Sequence, residues 1–469
     1  MKKITLSVPI SLVAFVMLAC CSARALGADA QKYLQAVVAR SAGALAMVRC
    51  EITDADGPRL ITGQAVCIDS SGLMMTPALS RVKPETITKL ELLAPGQPAK
   101  VVGARLLGID AVTGLSFLQA GAGQTFTAIS FMSKANLSLG QRVSSLCLRG
   151  DDVRLSPVLG TGFVAALQRL PGWLVLVTGG KLSSPGSVVF DSKGLAIGLV
   201  GAQPFLQYQT SSRAGATSIP LKSIDQTIAF TPAEEFVYVL GNIPQDGKVR
   251  RAPWLGIVRF TPAEPELLAS LGVTTPGVMV GQVIPDSQAD KMGIISRDIV
   301  VAVDGQPLSN FASKQMVAEA FMRQLAKKSP GQSVKLTILS RGQKRDVNIK
   351  LEPSPKRPGE APRLLNKALG LLLREKVYLD EFLTKDSAAK VPGLLVMGVQ
   401  KDSPAAKAGM RAGDVITTID AQAVRTVDEC KAAMEAATAQ TPARNISLKI
   451  RRGDQGLDIT VKPPETKTK

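Results

Sequence analysis

From about residue 43 to about residue 220, short apolar runs alternate with turn residues. ALAMVRCEIT (44–53), LITGQAVCID (60–69), AKVVGARLLG (99–108), RVSSLCLRG (142–150), GTGFVAAL (160–167), GWLVLVTGG (172–180) and GLAIGLVGA (194–202) all have the β-rich character of strands. Asp56-Gly57-Pro58 and Pro95-Gly96 punctuate them. Many short strands at close spacing predict an antiparallel barrel or sandwich. GLMMTPALSRV (72–82) follows the alternating GQAVCIDS and reads as a strand, a turn, a second short strand and a bend at Thr76-Pro77. Residues 30–42 read as a short helix, and LKSIDQTIAF (221–230) as a helix closing the region. Pro244 to Pro253 reads as a linker.

Beyond it the chain repeats itself. Residues 277–310 align without gaps with 393–426, an offset of 116. Asp286, Ser287, Ala289, Lys291, Gly293, Asp298 and Asp304 fall on Asp402, Ser403, Ala405, Lys407, Gly409, Asp414 and Asp420. Two homologous modules follow from this density of identities. Each is expected to run strand, short helix, glycine turn, strand, longer helix and final strands. The longer helices are SKQMVAEAFMRQLAK (313–327) and VDECKAAMEAA (427–437); SVKLTILSR and NISLKIRR are the final strands. LEPSPKRPGEAPR (351–363) is the proline-rich linker between the modules.

Composition adds a compartment. Lys2 and Lys3 precede an apolar run that ends near Cys21, and Ala23-Arg24-Ala25 follows. The run is short for a membrane span and reads as a signal peptide over residues 1–27. The alternative is a lipoprotein signal with Cys20 or Cys21 acylated. Cys50, Cys67, Cys147 and Cys430 remain, widely spaced, and fit buried thiols better than bridges, although Cys50 and Cys67 fall on neighbouring strands. With no histidine and no cysteine cluster, neither a metal nor another cofactor is expected. The net charge of +18 is spread along the chain, half of it in residues 252–469. That surplus suits acidic partners or peripheral contact with anionic envelope lipids. Basic patches interleaved with aromatics are missing, so nucleic acid is not an expected partner.

Ser403-Pro404-Ala405-Ala406-Lys407-Ala408-Gly409-Met410, followed by Ala412-Gly413-Asp414-Val415-Ile416, resembles the permuted PDZ domains of bacterial exported proteins. The first copy has Gln288 for the proline and Ser296-Arg297 before Asp298. Trp254-Leu255-Gly256-Ile257 and Leu369-Gly370-Leu371-Leu372 fall where that family binds a terminal carboxylate. The resemblance implies a loop whose backbone N–H groups face the carboxylate, a sheet edge that takes the ligand strand, and an apolar pocket. Val317, Phe321 and Leu325 lie at helical spacing to line that pocket, or to form an ordinary core. EKVYLDEFLTKDSAA (375–389) is placed to cross the second groove.

Together the barrel region and the two modules resemble the HtrA (DegP-like) family of exported trypsin-fold serine proteases. The implied fold is mainly β: a trypsin-like double barrel at 30–243, then PDZ-like α+β modules at 252–353 and 364–464. Gly72 to Thr76 matches the segment before the family's catalytic histidine, and Leu79 stands in its place. Asp110-Ala-Val-Thr-Gly114 puts Gly114 at the catalytic aspartate. Ser183-Ser184-Pro185-Gly186-Ser187, anchored on Phe190 to Gly194, puts Pro185 at the nucleophile; a shift of one puts Ser184 there. The triad needs a base and a carboxylate to orient it, and a chain without histidine lacks the usual base. The expected function is therefore a pseudoprotease that binds C-termini or unfolded segments of envelope proteins. The resemblance also leaves room for a homo-oligomer or association with an active HtrA-like protease. The competing expectation is a serine endopeptidase with a nonstandard base, such as Lys181 beside Ser184.

Overall fold

The computed structural model describes residues 31–463, apart from 55–56, 97–98, 150–154, 170–171, 202–205, 213–214, 222–227, 312, 379, 381–390 and 439–443. The leader expected at 1–27 lies outside the described residues. Chain contacts divide the molecule into two compact units, the first holding most of both barrels and the first module, the second comprising the chain from Ser354 together with Thr53–Pro58.

A helix over 31–41 leads into β1 (Leu45–Asp54), β2 (Gly57–Asp69), β3 (Leu73–Thr76), β4 (Ile87–Ala94), β5 (Lys100–Asp110) and β6 (Leu115–Ala120). These pair antiparallel in the order β5-β4-β1-β2-β3-β6, and β6 returns to β5 to close a barrel. Inward residues such as Val48, Met74, Leu92 and Phe117 fill it. Closure satisfies every strand edge with a neighbour, which an open antiparallel sheet cannot do. The second barrel consists of β7 (Arg142–Arg149), β8 (Ser156–Arg169), β9 (Trp173–Lys181), β10 (Val188–Phe190), β11 (Ala196–Val200) and β14 (Ile228–Pro232). Its order is β10-β11-β14-β9-β8-β7, closed by β7 on β10. Between them β12 (Leu206–Ser212) and β13 (Gly215–Leu221) form a separate hairpin. The expected trypsin-like double barrel is present.

Two local expectations are corrected. The ends of the helix expected over 221–230 are strand instead: Leu221 ends β13 and Ile228 begins β14, while residues 222–227 lie outside the described residues. Ala229 and Phe230 are buried in the second barrel, where pairing with β9 and β11 outweighs the helical spacing of Leu221, Ile224 and Ile228. The segment Pro244–Pro253 is not a free linker either. β15 (Val249–Arg250) runs parallel to Ile109 and Asp110 of β5 and extends the first sheet.

The first module opens with β16 (Pro253–Trp254), which pairs with β23 (Glu352–Pro353). Its sheet runs β17 (Phe260–Pro262), β18 (Val278–Val280), β19 (Ile299–Val303), β21 (Ser333–Ser340) and β22 (Gln343–Lys350), with β20 (Gln306–Pro307) on β19. The long helix Lys314–Ala326 packs beside β17. The second module repeats the plan. β24 (Arg363–Asn366), β25 (Leu371–Glu375), β26 (Leu394–Val399), β27 (Val415–Ile419), β29 (Ile446–Arg452) and β30 (Gln455–Val461) follow in that order, with β28 (Gln422–Ala423) on β27. Its long helix is Val427–Thr438.

Candidate functional site

The three positions aligned with a catalytic triad converge where the barrels meet. Thr76 makes the bend after β3: its hydroxyl donates to the Gln64 carbonyl at 2.6 Å and accepts from the Ala78 N–H at 3.1 Å. Gln64, from the first barrel, then bonds both backbone groups of Leu148 in the second, at 2.6 and 3.0 Å. Leu79 follows the bend with no exposed surface, packed into the first core. Burying such a side chain stabilises the fold by about 1.5–3 kcal/mol. Gly114 has φ +70°, and a Cβ there would lie 3.6 Å from the Ser80 Cβ. A Cβ on Gly186 would lie 3.2 Å from Pro77. The polypeptide around Leu79, Gly114 and Pro185 is thus assembled as one site, with no acid–base side chain at any of the three.

Around Pro185 the N–H groups of Ser183, Gly186 and Ser187 all have acceptors within the protein. An oxyanion hole requires two converging N–H groups without other acceptors. Pro185 has no N–H. The Ser183 N–H donates to the Ser145 hydroxyl at 2.8 Å, the Gly186 N–H to the Val200 carbonyl at 2.7 Å, and the Ser187 N–H to the Ser184 carbonyl at 3.1 Å. The Ser187 hydroxyl donates to that same carbonyl. Asp110, the acidic residue nearest Gly114 in sequence, is buried and fully engaged. One oxygen accepts from the Thr113 N–H and hydroxyl, both at 2.8 Å, and the other pairs with Arg250 at 2.8 Å.

The residues expected at a peptide site fall together in each module. In the first, Leu255, Ile257, Val317, Phe321 and Leu325 belong to one buried core, so the helix supplies the floor beneath β17 rather than an open wall. Phe260 of β17 meets Phe321 edge to face, ring centres 5.0 Å apart. Trp254 is half-buried and its indole N–H donates to the Ile257 carbonyl at 3.1 Å. Gly256, at φ +88°, sits so close to Ser287 that a Cβ would be 2.2 Å from the serine Cβ. Among the described residues, the N–H groups of Leu255, Gly256 and Ile257 have no acceptor, although all three residues are buried. Buried N–H groups are rarely left unpaired. Among the described residues, the edge of β17 away from β18 carries no strand.

The second module has a similar loop, whose first two N–H groups have acceptors within the protein. Gly370 has φ +73° and packs on Ser403, where a Cβ would be 2.3 Å from the serine Cβ. Here the Leu369 N–H donates to the Asn366 side-chain carbonyl and the Gly370 N–H to the Asn366 backbone carbonyl, both at 2.9 Å. Leu369 and Leu371 are fully buried and Leu372 is half-buried. Of the segment 375–389 expected across this groove, residues 379 and 381–389 lie outside the described residues. The strand beside the groove edge of β25 is β24. Phe260, Ser287, Ser145 and Asn366 were not picked out from the sequence; only Ser287 carried a signal, its identity with Ser403 in the repeat.

A PDZ domain model matches residues 255–351 and 368–462. A Haemophilus influenzae protein named probable periplasmic serine protease do/HhoA-like is 26% identical over 373 residues, covering 78% of this chain and 72% of its own. The Escherichia coli periplasmic serine endoprotease DegP is 24% identical over 399 residues, covering 84% of this chain and 75% of its own. Among solved structures, the HtrA-type protease AlgW with decapeptide has a similar fold, with a TM-score of 0.50 at 20% identity, covering 68% of this chain and 98% of that one.

Proposed function

The chain is an HtrA-type protein, a trypsin-like double barrel followed by two PDZ domains, and on that premise we propose that it holds polypeptide ends without cutting them. The observation that carries this reading is the filling of the catalytic positions by Leu79, Gly114 and Pro185 in a chain with no histidine. Serine proteolysis needs a base to take the hydroxyl proton and a carboxylate to orient that base. Removing triad members costs on the order of 10⁴–10⁶ in rate. What survives such losses elsewhere is stabilisation by the oxyanion hole. Here the Ser183 N–H has an internal acceptor and position 185 has no N–H.

Binding is assigned to the first module. A terminal carboxylate would accept from the Leu255, Gly256 and Ile257 N–H groups, its strand would add to the free edge of β17, and its last apolar side chain would approach Phe260, Val317 and Phe321. The ligand class is the C-termini or extended segments of envelope proteins. The periplasmic location in the relatives' names supports an exported protein. Titration with a peptide bearing a free apolar C-terminus, against the same peptide amidated, tests the site. Hydrogen bonds to a charged group contribute roughly 1.5–3 kcal/mol each, so losing two weakens binding at least about tenfold. Equal affinity for the two peptides would mean that the loop is only a turn.

A further inference from the structure

The second module has the same loop and does not leave it open. We propose that the strand Arg363–Asn366 is a built-in occupant of the second peptide groove, with Asn366 standing where a ligand's terminal carboxylate would stand. The proposal rests on the reading of the leucine–glycine loops as carboxylate sites.

The two loops are built alike, each with a positive-φ glycine packed on the serine that caps the following short helix. Their surroundings differ in one respect. Among the described residues, β17 pairs with β18 alone, and its other edge faces the long helix. β25 pairs on both edges, with β26 and with β24. β24 runs antiparallel to β25, in register from Arg363 opposite Arg374 to Asn366 opposite Leu371. An added ligand strand would make the same pairing. At its end Asn366 meets the loop with both of its carbonyl oxygens, one on the Leu369 N–H and one on the Gly370 N–H, each at 2.9 Å. Its amide reaches the Met434 sulfur on the long helix at 3.2 Å, so the strand end touches both walls of the groove. Leu364 packs against the module's core. β24 also lies outside the residues that match the PDZ domain, which begin at 368. It is an addition in front of the module. In the first module the corresponding residues, Val249 and Arg250, pair instead with β5 of the barrel.

A tethered occupant competes at a high effective concentration because only a short turn separates it from its site. An external peptide must displace it, so the chain takes one peptide, at the first module.

Hydrogen exchange on the full chain, with and without a saturating free-acid peptide, tests this. The amides of 369–373 are expected to exchange at least tenfold more slowly than those of 255–257 before peptide is added. Peptide should then slow only the latter. In the double variant Leu364→Asp, Asn366→Ala, exchange at 369–373 should quicken at least tenfold, and peptide should now protect those amides. Circular dichroism confirms that the variant is folded. Fast exchange at 369–373 in the unaltered chain, or their protection by peptide there, overturns the proposal. So does a folded double variant that still excludes peptide. Failure of the first-module reading has a separate signature: peptide leaves 255–257 unprotected, while the peptide-free rates at 369–373 still report on β24.

Discussion

Gly256 and Gly370 are the residues whose backbone conformation both loops depend on. In sequence, a valine at Gly256 looks like a loop change that spares the fold. In the structure it sets a branched side chain at φ +88° against Ser287, whose Cβ a new Cβ would meet at 2.2 Å. Gly256→Val is expected to destabilise the first module by more than about 2 kcal/mol, seen as an earlier thermal transition. The repeated aspartates, by contrast, were legible only as identities. Asp298 accepts from the Ile295 N–H and Asp414 from the Arg411 N–H, so each closes the turn before a strand. Asp414 also holds Arg452 through both oxygens at 2.7 Å while being 1% exposed. Asp414→Ala should cost on the order of 3 kcal/mol by breaking that pair, measurable by denaturant unfolding. At the triad positions, Leu79→His with Gly114→Asp and Pro185→Ser is expected to yield no protease. The histidine would enter the apolar core that encloses Leu79, and the Ser183 N–H would stay with Ser145. Renewed turnover in a peptide-hydrolysis assay would show that these three changes alone separate the chain from an enzyme.

Most strands were readable because their apolar runs fill one barrel face at a time. The misread element, Ile228–Pro232, closes the second barrel between partners distant in sequence, which local spacing does not report. β15 was hidden for the same reason: a polar stretch bounded by prolines looks like a linker until Val249 and Arg250 pair with β5. Arg250 holds that junction, since its guanidinium balances the Asp110 carboxylate, which is 2% exposed. Arg250→Ala should therefore cost on the order of 3 kcal/mol by leaving a buried charge with reduced compensation. A thermal midpoint unchanged by that substitution would show the junction to be incidental. The two positive-φ loops at Gly256 and Gly370 were visible as leucine–glycine pairs. The strand Arg363–Asn366 was not, because it precedes the repeat and the corresponding residues of the first copy, Val249 and Arg250, pair with β5 instead.

For the whole molecule, the lack of histidine has a consequence beyond catalysis. Histidine is the side chain whose ordinary titration falls between pH 5 and 8. Cys50, Cys67 and Cys430 are removed from that window, because burial pushes their thiols up, Cys430 to about 12. Stability should be flat there, with the melting temperature moving by less than about 2 °C between pH 5.5 and 7.5. The acid limb has the opposite character. The Arg49 guanidinium holds the Glu91 carboxyl below its usual range, and Lys328 does the same for Asp304. Their contributions are present above the ordinary carboxylate range and are lost as pH falls through the depressed values, so melting should drop below about pH 4. The central claim is that an HtrA-type barrel without a base is a binding protein. Its most direct test is to incubate the purified full chain with an unfolded protein substrate, and in parallel with a fluorophosphonate probe that labels only an activated serine. Intact substrate and an unlabelled chain are the expected result. Cleavage and labelling that both disappear on Ser184→Ala would contradict it.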